Sequence, residues 1–116
     1  MLERVRAGLL NGGWRELAFE HFRAGIAVHW IVRGGHDAPS LALLKYEAGA
    51  SVPRHRHAGL ETILVLEGVQ CDENGNYPQG TLVFNAVDTE HSVWTDEGCV
   101  VLIHWTLPVV ILQEGQ

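Results

Sequence analysis

The chain has 116 residues, 47% apolar and 19% charged, with a formal net charge of −6. That length specifies one domain around a modest core, and that composition is ordinary for a globular chain. The acidic balance counts against a nucleic-acid partner, which would need a basic face. No apolar run reaches the roughly eighteen residues of a membrane span, and the first thirteen residues carry no secretory pattern, so a cytoplasmic protein is expected.

The pattern is β from early in the chain. Leu2 to Leu10 supports at most a helical turn or two, weakened by Gly8 and Gly12-Gly13. Ile26 to Val32 and Ser40 to Tyr46 are rich in β-branched and aromatic residues or alternate apolar with polar. Each is followed by glycine within a few positions. Thr62 to Leu66 is the next run, bounded by Glu67-Gly68. Asn74-Gly75 has the chemistry of a tight hairpin turn with positive φ. Thr81 to Phe84, Ser92 to Thr95 and Cys99 to Thr106 are further strands, the last two joined by Asp96-Glu97-Gly98. Short strands with turn signals roughly every eight to twelve residues read as a sandwich or barrel. The expected organisation is a single domain over 1–116: an N-terminal extension at 1–13, a β-barrel at 14–106, and an apolar strand or tail at 107–116.

Two features favour a homodimer. Strand Thr62 to Leu66 is apolar on both faces, which implies burial on both. The tail Leu107 to Leu112 is too apolar to leave in water. Cys71 and Cys99 form no C-x-x-C pair and read as reduced thiols, partly buried. Cys99 shares a face with Val101, Ile103 and Trp105 and is assigned to the core.

The chemistry concentrates in Gly49 to Gly68. His55 and His57 are two residues apart in an extended segment, so both point to one side, with Arg56 pointing to the other. Glu61 follows after the Ala58-Gly59-Leu60 bend. Two imidazoles and a carboxylate converging from one side of a sheet suit a divalent metal. Arg54 and Arg56 are expected to help keep the imidazoles neutral. His29 and His104 lie in strands and read first as wall or core residues, with His104 a lesser candidate for the pocket. Tyr77 is a candidate pocket donor, and Trp14 a candidate edge residue. No nucleophile–base pair or phosphate loop is visible, so no catalytic residue is assigned.

Gly49-x5-His55-x-His57-x3-Glu61-x6-Gly68 resembles the first motif of the cupin superfamily at every defining position. Gly80 and His91 match two positions of the second motif. Ala86, Asp88 and Thr95 stand where proline, glycine and asparagine are expected, so Val87 to Glu90 forms an atypical turn. The wording of HRHAGLETILVLEG, CDENGNYPQGTLVFN and EGCVVLIHW resembles the cupin-like domain of ChrR-type anti-sigma factors. The similarity runs from about Ser40 to Trp105 and more loosely from Trp14.

The resemblance implies an all-β, single-domain jelly roll, two antiparallel sheets forming a small barrel. It implies a metal held by His55, His57, Glu61 and His91, with zinc first and iron, manganese or nickel as alternatives. The anti-sigma proteins also carry a helical zinc domain ahead of the cupin portion. The first forty residues here hold no Cys/His cluster, so sigma-factor inhibition is not carried over. The expected function is a stand-alone sensing or ligand-binding module for a small molecule. The alternative is a metal-dependent dioxygenase acting on a diketone. A sugar isomerase is disfavoured by the mostly apolar pocket residues.

Overall fold

The computed structural model describes residues 4–112. The expectations for Leu2 and for the end of the tail, 113–116, lie outside them. Ten strands follow one another: β1 (Glu20–Arg23), β2 (Ile26–Val32), β3 (Ser40–Tyr46), β4 (Ser51–Arg56), β5 (Glu61–Asp72), β6 (Gly75–Pro78), β7 (Leu82–Asn85), β8 (Glu90–Trp94), β9 (Cys99–Trp105) and β10 (Val110–Ile111). Every pairing between them is antiparallel. One sheet runs β1-β2-β3-β9-β5-β7, and the other β6-β5-β8-β4-β10. Among the described residues no helix is long and apolar enough to cross a membrane.

β5 belongs to both sheets. Its first part, Glu61 to Gly68, pairs with β9, and its last part, Val69 to Asp72, pairs with β6 and β8. Sequence reading ends this strand at Leu66 because Glu67-Gly68 looks like a terminator. In the fold Gly68 is a bend inside a continuous strand, with φ 76°. A Cβ at this position would collide with the Gly98 carbonyl oxygen. Only glycine combines that φ with that close approach.

The main core lies between the sheets. Alternation puts Ala42, Leu44 and Tyr46 of β3 there with Cys99, Val101, Ile103 and Trp105 of β9, against Ile63 and Val65 of β5. A second apolar layer lies on the outer face of the first sheet, where Leu43, Leu66 and Val100 pack under Trp14 with Leu9, Leu17 and Phe19 beside them. The two short 3-10 turns, Leu9–Asn11 and Gly13–Glu16, deliver this cover. Trp14 is therefore buried core rather than an edge residue. The second apolar face of β5 is covered by the chain's own N-terminal segment. The tail is covered only in part: Val109 packs on the core, and Val110 and Ile111 pair with Arg56 and His55 of β4, but Leu107, Val110 and Ile111 keep exposed side chains.

The hairpin between β5 and β6 differs from expectation. Asp72 pairs with Gly75, so the two loop residues are Glu73 and Asn74. Gly75 opens β6 and does not have a positive φ. The turn is set instead by the Asp72 carboxylate, whose Oδ1 accepts the Asn74 backbone N–H at 2.8 Å. This is an Asx-type turn, in which a side chain stands in for a backbone acceptor.

Candidate metal centre

β4 and β8 bring the first ligand pair together. His55 and His91 are direct partners in the antiparallel register. Between Val52 and His55 the register shifts, and Pro53 sits in that irregularity. This suits a residue with no N–H to give to a ladder. The bulge turns the Pro53 carbonyl toward its own chain, where it accepts from His55 Nδ1 at 2.8 Å.

His55 and His57 point inward, as the two-residue spacing requires, and both are buried. Arg54 and Arg56 point outward and are ion-paired, Arg54 with Glu90 and Glu73 and Arg56 with Asp88. Their charge is thus largely offset by carboxylates in solvent. The His55 pKa is lowered, and burial is the leading cause, followed by the nearby His91 and His57 rings working against the Pro53 hydrogen bond.

The turn before β8 keeps its shape without the glycine. Asp88 has φ 72°, the one positive φ at a non-glycine among the described residues. Aspartate tolerates this region better than most residues. The turn is tied down on both sides. Asp88 N–H donates to the His57 carbonyl at 2.8 Å, and His57 N–H donates to the Thr89 carbonyl at 2.9 Å. Arg56 closes on the Asp88 carboxylate at 3.1 Å.

Glu61 opens β5, and its register partners on either side are Asn85 and Trp105. Both donate to its carboxylate: Asn85 Nδ2 to Oε1 at 2.9 Å and Trp105 Nε1 to Oε2 at 3.0 Å. Each oxygen keeps a further lone pair. Burial works against ionising Glu61, but a proton on His57 Nε2, which would donate to the carboxylate and attract it, and then the Asn85 amide hold its carboxyl below the usual range.

The four ligand atoms of His55, His57, Glu61 and His91 lie within 4.8 Å of one another, and all four residues are buried. In a tetrahedral zinc site ligand atoms lie about 3.4 Å apart, so side-chain rotations that draw the most distant pair together by about 1.4 Å close the set. The three rings are 4.7 to 5.1 Å apart between centroids.

The supporting contacts decide which nitrogen faces inward. Each Nδ1 meets an acceptor: the Pro53 carbonyl for His55, the Thr89 carbonyl for His57 at 2.9 Å, and Asp72 Oδ2 for His91 at 3.0 Å. Each Nδ1 is therefore protonated, and in the neutral ring each Nε2 presents a lone pair to the centre. His57 and His91 Nε2 are buried with no hydrogen-bond partner. His57 Nε2 also lies 3.4 Å from Glu61 Oε1. Two acceptors facing each other in a buried site repel unless a cation lies between them. Protonating all three crowded rings would replace that repulsion with another. The donor set suits a divalent metal, and the four residues can hold one.

Asp72 extends the support outward. Its Oδ1 accepts from the Tyr77 hydroxyl at 2.7 Å as well as from Asn74. Tyr77 is thus not a donor into the pocket but a brace for the acceptor of His91. That contact, after burial, helps push its own pKa up to about 12. Asp72, Asn85, Thr89 and Trp105 are the residues that motif reading does not pick out. His104 is exposed and faces away from the centre, paired with Leu41 and Thr62. His29 is a hydrogen-bonded wall residue, its Nδ1 2.9 Å from the Ala18 carbonyl. Both cysteines are free and buried.

The centre has two approaches. His55 and Glu61 border a cavity of about 60 Å³ inside the barrel, walled mostly by aliphatic and aromatic side chains. His57 and His91 border a more open depression near Asn74, Phe84 and Thr89 on the other side.

Comparison with known proteins agrees with this architecture. The anti-sigma-E factor ChrR of Cereibacter sphaeroides is 31% identical over 110 residues, which cover 93% of this chain and 45% of that protein. The chain thus spans less than half the length of that relative. The structure of Rhodobacter sphaeroides SigE in complex with the anti-sigma ChrR matches with a TM-score of 0.68 at 26% identity, over 78% of this chain and 49% of the other. An acetylacetone dioxygenase from Acinetobacter johnsonii shares the fold, with a TM-score of 0.75 at 15% identity, over 83% of this chain and 72% of the other. The family model described as the ChrR cupin-like domain matches residues 13–109. The chain belongs to the ChrR cupin-like domain family, and its fold is the cupin jelly roll.

Proposed function

We propose that His55, His57, Glu61 and His91 bind one divalent metal, and that the metal centre serves a sensing or ligand-binding module for a small molecule. The observation that carries this reading is the inward set of Nε2 lone pairs, two of them buried without a partner and one facing a carboxylate oxygen at 3.4 Å. Zinc is the metal proposed first. Imidazole and carboxylate suit it, and the resemblance to the anti-sigma cupins implies it. A bound metal supplies Lewis acidity and a position for an exogenous ligand. The chain's own residues fix the imidazole tautomers, orient Glu61 and surround the centre with apolar walls.

The test is elemental analysis of protein purified without an affinity tag, alongside His57→Ala. The reading expects about one metal per chain in the wild type and its loss in the variant. Stoichiometric metal in His57→Ala would place the site elsewhere.

A second reading is a metal-dependent dioxygenase with a diketone-like substrate. The observation favouring it is the internal cavity at His55 and Glu61, which offers a substrate direct access to the centre. Oxygen uptake that depends on iron(II) and a diketone, and vanishes in His57→Ala, would establish it over the sensing role.

The domain limits proposed are those of the sequence reading, with the barrel at 14–106. The location proposed is the cytoplasm, in keeping with two unpaired thiols. The oligomer proposed is a homodimer. Its support is the exposed Leu82 and Phe84 of β7 together with the exposed Leu107, Val110 and Ile111 of the tail, since the second face of β5 is covered within one chain. Phe84→Glu should return the protein to a monomer in sedimentation if that surface is the interface.

A further inference from the structure

Of the two approaches to the metal centre, the open depression stops short of it. His57 and His91 border that depression, but their Nε2 atoms are buried and their Nδ1 atoms are tied to Thr89 and Asp72. A ligand resting there meets ring edges and not the lone pairs. The other approach is the barrel cavity bordered by His55 and Glu61. Strand order shows where this cavity meets solvent. β1 and β10 stand at the two ends of that order, paired with β2 and β4 but not with each other. The barrel therefore has an open seam between them. Phe22 of β1 and Val109, just before β10, both line the cavity. Phe22 is also 37% exposed, so the cavity reaches the surface at this residue.

Each side of the seam is built by an irregular piece of backbone. On β1 the register shifts between His21 and Arg23, so Phe22 is an extra residue opposite β2. A regular strand would send Phe22 and Arg23 to opposite faces, yet both line the cavity. A bulge re-aims a side chain in this way. The Phe22 ring stacks on Trp105 at 6.1 Å between centroids, and Trp105 Nε1 is the donor that holds Glu61 Oε2. On the other side the chain leaves β9 as a strap. Thr106 N–H and Oγ1 anchor it to the Leu60 carbonyl at 3.0 and 2.9 Å, in the bend before Glu61. Its far end pairs Ile111 with His55. Leu107 to Val109, between these anchors, belongs to no strand. The strap thus runs from the element of one ligand to the element of another, with Val109 in the cavity wall between them.

We infer that a ligand reaches the proposed metal centre through the seam between β1 and β10, and that Phe22 and Val109 set the width of what passes. The inference rests on the metal reading of the four ligands and adds to it a route and two residues that select by size. Both side chains are apolar, and neither is locked by a strand ladder. Phe22 is the extra residue of a bulge on an edge strand, and Val109 sits on an unpaired span. Segments with few backbone hydrogen bonds are the ones that open at low cost. Phe22 can swing away from Trp105 without breaking a ladder bond. The cavity behind the seam holds about 60 Å³, the liquid share of about two waters, so narrow ligands enter more readily than flat rings.

The test is stopped-flow absorption of the cobalt(II)-loaded full chain, whose visible spectrum changes when an added ligand joins the metal. The probes are azide, a narrow rod, and imidazole, a flat ring. Phe22→Ala should speed imidazole association at least tenfold and azide association less than threefold, with Phe22→Leu in between. Val109→Trp should slow both at least tenfold. Ala86→Trp, which fills the depression beside His57 and His91, should leave both rates within twofold of wild type. Thermal melts confirm that each variant is folded. Rates within twofold of wild type in both seam variants would overturn the inference. A tenfold loss in Ala86→Trp would overturn it too and assign the route to the depression. Cobalt content separates the two levels of the account. One cobalt per chain with unresponsive seam variants, or with no uptake of either probe in wild type and Phe22→Ala, sinks the route and leaves the metal centre. A chain that takes up no cobalt sinks the metal centre and the route with it.

Discussion

The two stretches that supply the proposed ligands reach the same centre by different means. Gly49 to Gly68 carries three ligands in the spacing expected for its motif, and strand alternation alone points His55 and His57 inward. The stretch from Gly80 to Thr95 supplies only His91, and its turn has lost the expected glycine. Asp88 takes the left-handed conformation instead, held by His57, Thr89 and Arg56. His91 is then fixed by Asp72, nineteen residues back, across the sheet. A turn can thus lose its signature residues and keep its geometry, provided hydrogen bonds from other strands hold the backbone.

Breaking each stretch separately should give graded effects. Within the first stretch, His57→Ala removes a ligand outright and should abolish stoichiometric metal binding, as read by elemental analysis. Within the second, Asp72→Ala leaves His91 in place but removes the acceptor for its Nδ1–H. Loss of such a partner typically lowers metal affinity about 10- to 100-fold, measurable by competition with a chelator. Tyr77→Phe removes one hydrogen bond to Asp72 and should cost about 1 kcal/mol in folding stability, with a smaller change in affinity than Asp72→Ala. Equal losses in Tyr77→Phe and Asp72→Ala would mean that the whole hairpin, not the His91 contact, carries the effect.

The turn itself can be tested by denaturant unfolding. Asp88→Val places a β-branched residue at a left-handed φ and should destabilise by about 1–2 kcal/mol. Asp88→Gly suits that conformation but gives up an exposed ion pair, which is worth about 0–1 kcal/mol. Its stability should stay within about 1 kcal/mol of wild type. The smallest expected effect concerns the thiols, which lie outside the ligand set. Burial, outweighing the hydrogen bond with Thr95, pushes Cys99 up to about 12. Burial, with Asp96 and Asp72, also raises Cys71. At pH 8 both thiols are protonated, so neither should react with an alkylating reagent until the protein is unfolded.

What the sequence made legible follows the same division. The convergence of His55, His57 and Glu61 was readable because their spacing is local. Their supports were not, because Asp72, Thr89 and Trp105 lie nineteen, thirty-two and forty-four residues from the ligands they hold. The strand pattern was readable wherever one face meets the core, as in β2, β3 and β9. β1 was missed because Glu20 to Arg23 is mostly exposed and has no apolar alternation. Gly68 read as the end of a strand because a bend and a terminator use the same residue. Asn74-Gly75 read as the turn itself because Asp72, which sets the actual turn, acts through its side chain. Trp14 read as an edge residue because its partners, Leu43, Leu66 and Val100, belong to strands far along the chain.

The central claim is that three imidazoles meet one metal through Nε2, each with its proton held on Nδ1. Nitrogen-15 NMR of the histidine side chains during a zinc titration tests it most directly. The account predicts that His55, His57 and His91 change together, saturate at one equivalent of zinc, and show metal-bound Nε2 with protonated Nδ1. Zinc-dependent shifts confined to His21, His29, His36 or His104, or metal on Nδ1 of His91, would contradict it.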